Sequence, residues 1–88
     1  MPHIVLYASD YCPYCRRARV LLDSKSANYT VLDVNRDPGL WDEIAERTGR
    51  DTVPQIFIGD RHVGGCDDLF ALERRGELEP LLNGRDGA

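Results

Sequence analysis

His3-Ile4-Val5-Leu6-Tyr7-Ala8, then Ser9-Asp10-Tyr11, then Cys12-Pro13-Tyr14-Cys15: the fold turns on this stretch near the N-terminus. Its first part is almost wholly apolar and of strand length. A strand that is apolar on both faces belongs in the middle of a sheet, covered from both sides. Pro13 suits the first turn of a helix, where a missing N–H costs nothing. The stretch therefore reads as a central strand feeding a helix, with Cys12 at the junction.

Downstream, Ala18, Leu21, Leu22 and Lys25 share one helical face, while Arg16, Arg17, Arg19 and Asp23 look outward. Residues 29–34, rich in β-branched and aromatic side chains, form a second strand. Asp37-Pro38 reads as an N-cap with proline at the first helical position. Leu40, Trp41, Ile44, Ala45 and Thr48 make the inner stripe of that helix, and Gly49 stops it. Gln55-Ile56-Phe57-Ile58 and Arg61-His62-Val63-Gly64, parted by Gly59-Asp60, are a hairpin. Gly65-Cys66-Asp67-Asp68 opens a third helix carrying Leu69, Phe70 and Leu72, and Gly76 ends it. Leu78, Leu81 and Leu82 cap the core in a last short turn. The order is β-α-β-α-β-β-α. A helical crossover makes the first two strands parallel. The chain is thus an α/β protein: a four-stranded mixed sheet with helices on both faces, in the thioredoxin-like arrangement.

The 88 residues suit a single domain, residues 1–83, followed by a polar, Gly-rich tail, 84–88, expected to fray. Formal charge is −4 with both signs interspersed, which argues against nucleic acid. The longest apolar run is far too short to span a bilayer, and the N-terminus lacks a secretory signal. A soluble, cytoplasmic protein working as a monomer, without membrane contact, is the expectation. Three cysteines, an odd number, do not make a framework of structural bridges. The Cys12/Cys15 spacing suits redox chemistry or half a metal site. Zinc wants four ligands, and Cys66, His3 and His62 supply no second paired motif. The redox reading is therefore the stronger one, with no metal site.

Chemistry follows from position. A helix start carries partial positive charge and unpaired N–H groups, which favour an anion at Cys12. The thiolate is the nucleophile in thiol exchange, so Cys12 attacks. Cys15 lies one turn deeper and less accessible, and resolves. Residues i and i+3 on a helix are close enough for a redox-active Cys12–Cys15 disulfide.

Cys12-Pro13-Tyr14-Cys15, Thr52-Val53-Pro54-Gln55-Ile56-Phe57-Ile58 and Gly64-Gly65-Cys66-Asp67-Asp68-Leu69, in that order, resemble the short bacterial dithiol glutaredoxins over nearly the whole chain. The resemblance implies a glutathione-dependent thiol-disulfide oxidoreductase with catalytic Cys12 and Cys15. It would act on disulfide-containing or glutathionylated proteins, with glutathione as co-substrate and no tightly bound cofactor. It also implies a cis Pro54. The backbone before that proline, at Thr52 and Val53, pairs with the cysteinyl part of glutathione like an added strand. Tyr14 packs over the ligand. Cys66 and Asp67 main-chain N–H groups hold its γ-glutamyl carboxylate, and the Asp67 side chain its ammonium. The Cys66 thiol itself reads as a small buried hydrophobe rather than an oxidation-sensitive side site. His3 and His62 read as surface strand residues.

One feature departs from the family pattern. Glutaredoxins often carry a lysine three residues before the first cysteine, and here Ser9 stands there. Arg16, Arg47 and Arg50 are the cations that could take its place. Two rival functions are a redoxin reduced by a flavoprotein reductase, which Cys66-Asp67 argues against, and an iron–sulfur cluster held between two protomers, which Pro13 disfavours by analogy.

Overall fold

A computed structural model describes residues 2–84. The elements are β1 (Ile4–Ala8), α1 (Pro13–Ser24), β2 (Thr30–Asp33), α2 (Leu40–Thr48), β3 (Gln55–Ile58), β4 (Arg61–Gly64), α3 (Cys66–Arg74) and α4 (Leu78–Leu82). One four-stranded sheet has the order β2-β1-β3-β4. β1 pairs in parallel with β2 and antiparallel with β3, and β3 pairs antiparallel with β4. The expected mixed sheet is present, with β1 in its middle.

Alternation along β1 divides the interior. Ile4, Leu6 and Ala8 face one layer with Ile56 and Ile58, under Ala18, Leu21 and Leu22 of α1, Leu69 and Leu72 of α3, and the leucines of α4. Tyr7 faces the other way with Phe57, Val34 and Ile44 of α2. β1 is apolar on both sides because it is covered on both sides. Three helices cover one face and α2 covers the other alone. Lys25, at the end of α1, pairs with Glu73 at 2.7 Å and Glu79 at 3.0 Å, tying α1 to α3 and α4.

α2 differs from expectation in two ways. Asp37 Oδ1 accepts from the Gly39 N–H at 3.1 Å, but the turn it starts is closed by short bonds, Leu40 N–H to Asp37 O and Trp41 N–H to Pro38 O. Regular α geometry begins only at Leu40. The inner stripe is also narrower: Ile44 is fully buried, Leu40 and Thr48 are half-buried, and Trp41 and Ala45 are exposed. A helix lying alone on a sheet has no lateral neighbour, so only its i, i+4, i+8 line is covered. Gly49 does end α2, in the left-handed region at φ 72°. Tyr7 adds a polar tie, its hydroxyl donating to Glu43 Oε2 at 2.6 Å and accepting from Arg47 Nη1 at 2.7 Å.

The second strand is shorter than expected by a residue at each end, as fraying of strand limits allows. Of the expected frayed tail, only Gly84 is among the described residues, and its N–H donates to Leu81 O at 3.1 Å. Among the described residues no helix is long and apolar enough to cross a membrane.

Ile44 anchors α2, so Ile44→Ala is expected to cost about 2–5 kcal/mol in urea unfolding. Ala45→Ser, on the exposed side, is expected to cost less than about 1 kcal/mol. Equal losses for the two would contradict the single-line packing.

Candidate functional site

Strand direction gathers the chemistry at one end of the sheet. β1 delivers Cys12 beyond its carboxyl end. β3 runs antiparallel, with Tyr7 opposite Gln55, so the residues entering β3 lie at that same end. β4 runs back again, with Gly64 opposite Ile56, and hands the chain to α3 there. Cys12-Pro13-Tyr14-Cys15, Thr52-Val53-Pro54 and Gly65-Cys66-Asp67 are brought together although more than half the chain separates the first from the last.

Cys12 is the N-cap of α1 and half-buried. Its Sγ accepts the Cys15 N–H at 3.2 Å, an N-cap bond made by sulfur in place of the usual oxygen. The same thiol donates to Val53 O at 3.7 Å. The Val53–Pro54 peptide is cis, as the resemblance implied. Cys15, one turn on, is 2 % exposed. Burial pushes its thiol up to about 12, and the hydrogen bond and charge of Cys12 push the same way. The two sulfurs are therefore unequal by position: one at the helix mouth, the other in the core. Both cysteines are free thiols. They line a depression of about 310 Å³ with Ser9, Asp10, Arg16 and Arg19.

Beside Val53 lies a groove of about 220 Å³. Tyr14, Arg50, Thr52, Val53, Pro54, Cys66 and Asp67 line it, with Gln55, Gly65 and Asp68. Every residue expected to bind glutathione is on this wall. The first turn of α3 presents the Cys66 and Asp67 N–H groups, which have no intrahelical acceptor. The turn before it is held by Asp68, whose Oδ2 accepts the Gly65 N–H at 2.9 Å. Gly64 sits at φ +119°, and a Cβ there would collide with that carboxylate. Asp68 is kept below the ordinary carboxylate range, first by the Gly65 N–H and then by Arg50. Cys66 is buried, which raises its thiol, in keeping with the inert reading of that side chain.

The three candidate cations have different fates. Arg47 is spent on the α2 face: its guanidinium lies 3.8 Å from the Phe57 ring centroid and bonds Tyr7. Arg16 lines the depression beside Cys12. Arg50 lines the groove, with Nη1 3.2 Å from Asp68 Oδ2. Ser9, at the position where glutaredoxins often carry a lysine, accepts from Asn35 Nδ2 at 2.8 Å. His62 is not a surface residue as expected. It is half-buried, 5.0 Å from the Phe57 ring, with Nε2 2.7 Å from Gln55 Oε1. Gln55, fully buried, also belongs to the groove, though it is not among the residues the resemblance implied as binding. Its signal was a polar side chain heading an otherwise apolar strand. Among the described residues no three metal-ligating side chains converge.

A family model described as glutaredoxin matches residues 4–63. Glutaredoxin 3 of Escherichia coli K12 is 48% identical over 82 residues, covering 93% of this chain and 99% of the relative. A solution structure of glutaredoxin from Brucella melitensis superposes with a TM-score of 0.83 at 51% identity, covering 93% of this chain and 89% of the other. A crystal structure of the buckwheat glutaredoxin–glutathione complex gives 0.88 at 33% identity, covering 93% and 77%.

Alkylation should report the inequality of the thiols. With iodoacetamide near neutral pH, Cys12 is expected to react well before Cys15, located by fragmentation of the shared tryptic peptide; Cys15 labelling first would refute the assignment. Asp68 should report on pH. Its folded carboxyl is depressed, so its contribution to stability is present above the unfolded value of about 3.9 and lost as pH falls through the folded one. The stability gap between the wild type and Asp68→Ala should therefore be level above about pH 5 and narrow in stronger acid.

Proposed function

This chain belongs to the glutaredoxin family of glutathione-dependent thiol-disulfide oxidoreductases, and we propose that Cys12 is its attacking sulfur, Cys15 its resolving thiol, and the groove from Tyr14 to Asp67 its glutathione seat. The observation that carries this reading is the contact of Cys12 Sγ with Val53 O across the cis peptide. It puts the reacting sulfur against a backbone edge that can pair with a peptide.

On a glutathionylated protein, the Cys12 thiolate attacks the glutathione sulfur and displaces the protein thiolate, which takes a proton. Once Cys12 has lost its own proton, its thiol no longer donates to Val53 O. That carbonyl is then free to accept an N–H from the cysteinyl residue of glutathione, as in strand addition. The thiolate of a second glutathione attacks the glutathione sulfur on Cys12. Glutathione disulfide leaves, and Cys12 returns as thiolate. Val53, with Thr52 beside it, aligns the backbone of the ligand and Tyr14 covers it. Cys66 and Asp67 N–H groups receive the γ-glutamyl carboxylate, with the Asp67 carboxylate facing the ammonium. Arg50 is the cation that the groove offers to a ligand carboxylate.

On a protein disulfide, Cys12 displaces one protein thiolate and forms a mixed disulfide. Cys15 then attacks Cys12, releases the second protein thiol and closes the Cys12–Cys15 disulfide, which two glutathiones reduce. A thiol held near 12 is a poor nucleophile until something lowers it. The mixed disulfide does so in part, because the bond and charge of Cys12 that raise Cys15 vanish when Cys12 is covalently occupied. Resolution is thereby coupled to the first attack.

Disulfide-containing and glutathionylated proteins are the partners this chemistry calls for, and a cytoplasmic monomer without a tightly bound cofactor suffices for it. The single domain spans residues 1–83.

Cys15→Ser is expected to keep deglutathionylation of a peptide–glutathione mixed disulfide and to lose protein disulfide reduction, while Cys12→Ser loses both. A folded Cys15→Ser protein inactive in the first assay would overturn the division of roles.

A further inference from the structure

Gln55 is the one buried polar residue among the described residues, with no exposed surface. It heads a strand that is otherwise apolar, where an apolar side chain would avoid the cost of desolvating an amide. Its amide is nonetheless satisfied at both ends. Nε2–H donates to Thr52 Oγ1 at 3.2 Å, and Oε1 faces His62 Nε2 at 2.7 Å. The His62 ring is steadied against Phe57, at 5.0 Å between centroids and a tilt of 31°. Thr52 is exposed on the groove wall.

This chain of bonds has a direction. An amide oxygen only accepts, so the His62 nitrogen facing it carries a proton. The amide nitrogen only donates, so Thr52 Oγ1 gives a lone pair to Gln55 and keeps its own proton for another partner. We propose that Gln55 and His62 are positioning residues that fix Thr52 as a hydrogen-bond donor into the groove, where it selects a thiol carrying carbonyl or carboxylate oxygens. The inference rests on the groove being the glutathione seat and adds to it a specificity determinant outside the family of contacts made by backbone and charge. Left unfixed, a hydroxyl could turn its proton toward the protein as readily as toward the groove. By occupying one lone pair of Oγ1, the Gln55 amide turns the O–H away from itself and biases Thr52 toward donating before the ligand arrives.

The test compares one peptide linked by a disulfide to glutathione with the same peptide linked to cysteamine, which has neither carbonyl nor carboxylate. Thr52→Val and Gln55→Leu are each expected to raise KM for the glutathionyl peptide about three- to tenfold, the range of one lost hydrogen bond, with kcat unchanged. The double variant should match either single variant, because both remove the same donor. The cysteamine-linked peptide should be handled alike by all four proteins. Multiplying losses in the double variant, or equal damage by Gln55→Leu to both substrates, would overturn the relay and leave the groove reading intact. A wild-type protein indifferent to the two peptides would overturn the groove reading and the relay with it. Nitrogen-15 NMR of the unaltered protein gives a check that needs no variant: neutral His62 is expected as the Nε2–H tautomer, and the Nδ1–H tautomer overturns the proposal.

Discussion

Antiparallel pairing of β3 on β1, with Tyr7 opposite Gln55, is the constraint on which the site depends. It carries Thr52-Val53-Pro54 to the strand end where Cys12 caps α1. It also fixes the return of β4, and hence the place where α3 begins. The pairing is held from both faces. Leu6 and Ile56 are buried on one side, Tyr7 and Phe57 on the other, and apolar burial is worth roughly 1.5–3 kcal/mol for each large side chain. A slip of one residue would turn each of these side chains to the wrong layer. The geometry of the site is therefore enforced by the core rather than by bonds within the site.

The same layering separates the two thiols. Three residues along a helix that starts at the sheet end and packs over it are enough to go from a half-buried cap to a side chain 2 % exposed. Cys12 receives a backbone N–H, whereas Cys15 receives burial. One motif thus contains two thiols with opposite surroundings, and no nearby base is needed to tell them apart.

The groove beside Val53 combines an ordered backbone with a polar network. Asp68 holds Gly65 and meets Arg50 across from it, while Gln55 links Thr52 to His62 behind the wall. Arg47, by contrast, belongs to the packing of α2, clamped between Phe57 and Tyr7. Two arginines close in sequence thus serve different ends, because the helix stop at Gly49 lies between them and turns the chain.

Local pattern carried much of this molecule. The both-face apolar strand, the hairpin around Gly59-Asp60, the glycine stop of α2 and the helix start after Cys12 were legible because each depends on neighbouring residues and short periods. The cis Pro54 and the residues lining the groove beside Val53 were legible only through resemblance to glutaredoxins, since no local signal distinguishes a cis from a trans proline here. What tertiary structure alone decided were the pairings across distance: Arg50 with Asp68, Arg47 with Phe57, Ser9 with Asn35, and Gln55 with His62 and Thr52. It also decided that Trp41 and Ala45 would stay outside. The physical reason is common to all of them. Periodicity says which side of an element is apolar, but how much of that side is covered, and which polar groups meet, depends on the register and packing of elements far apart in the chain.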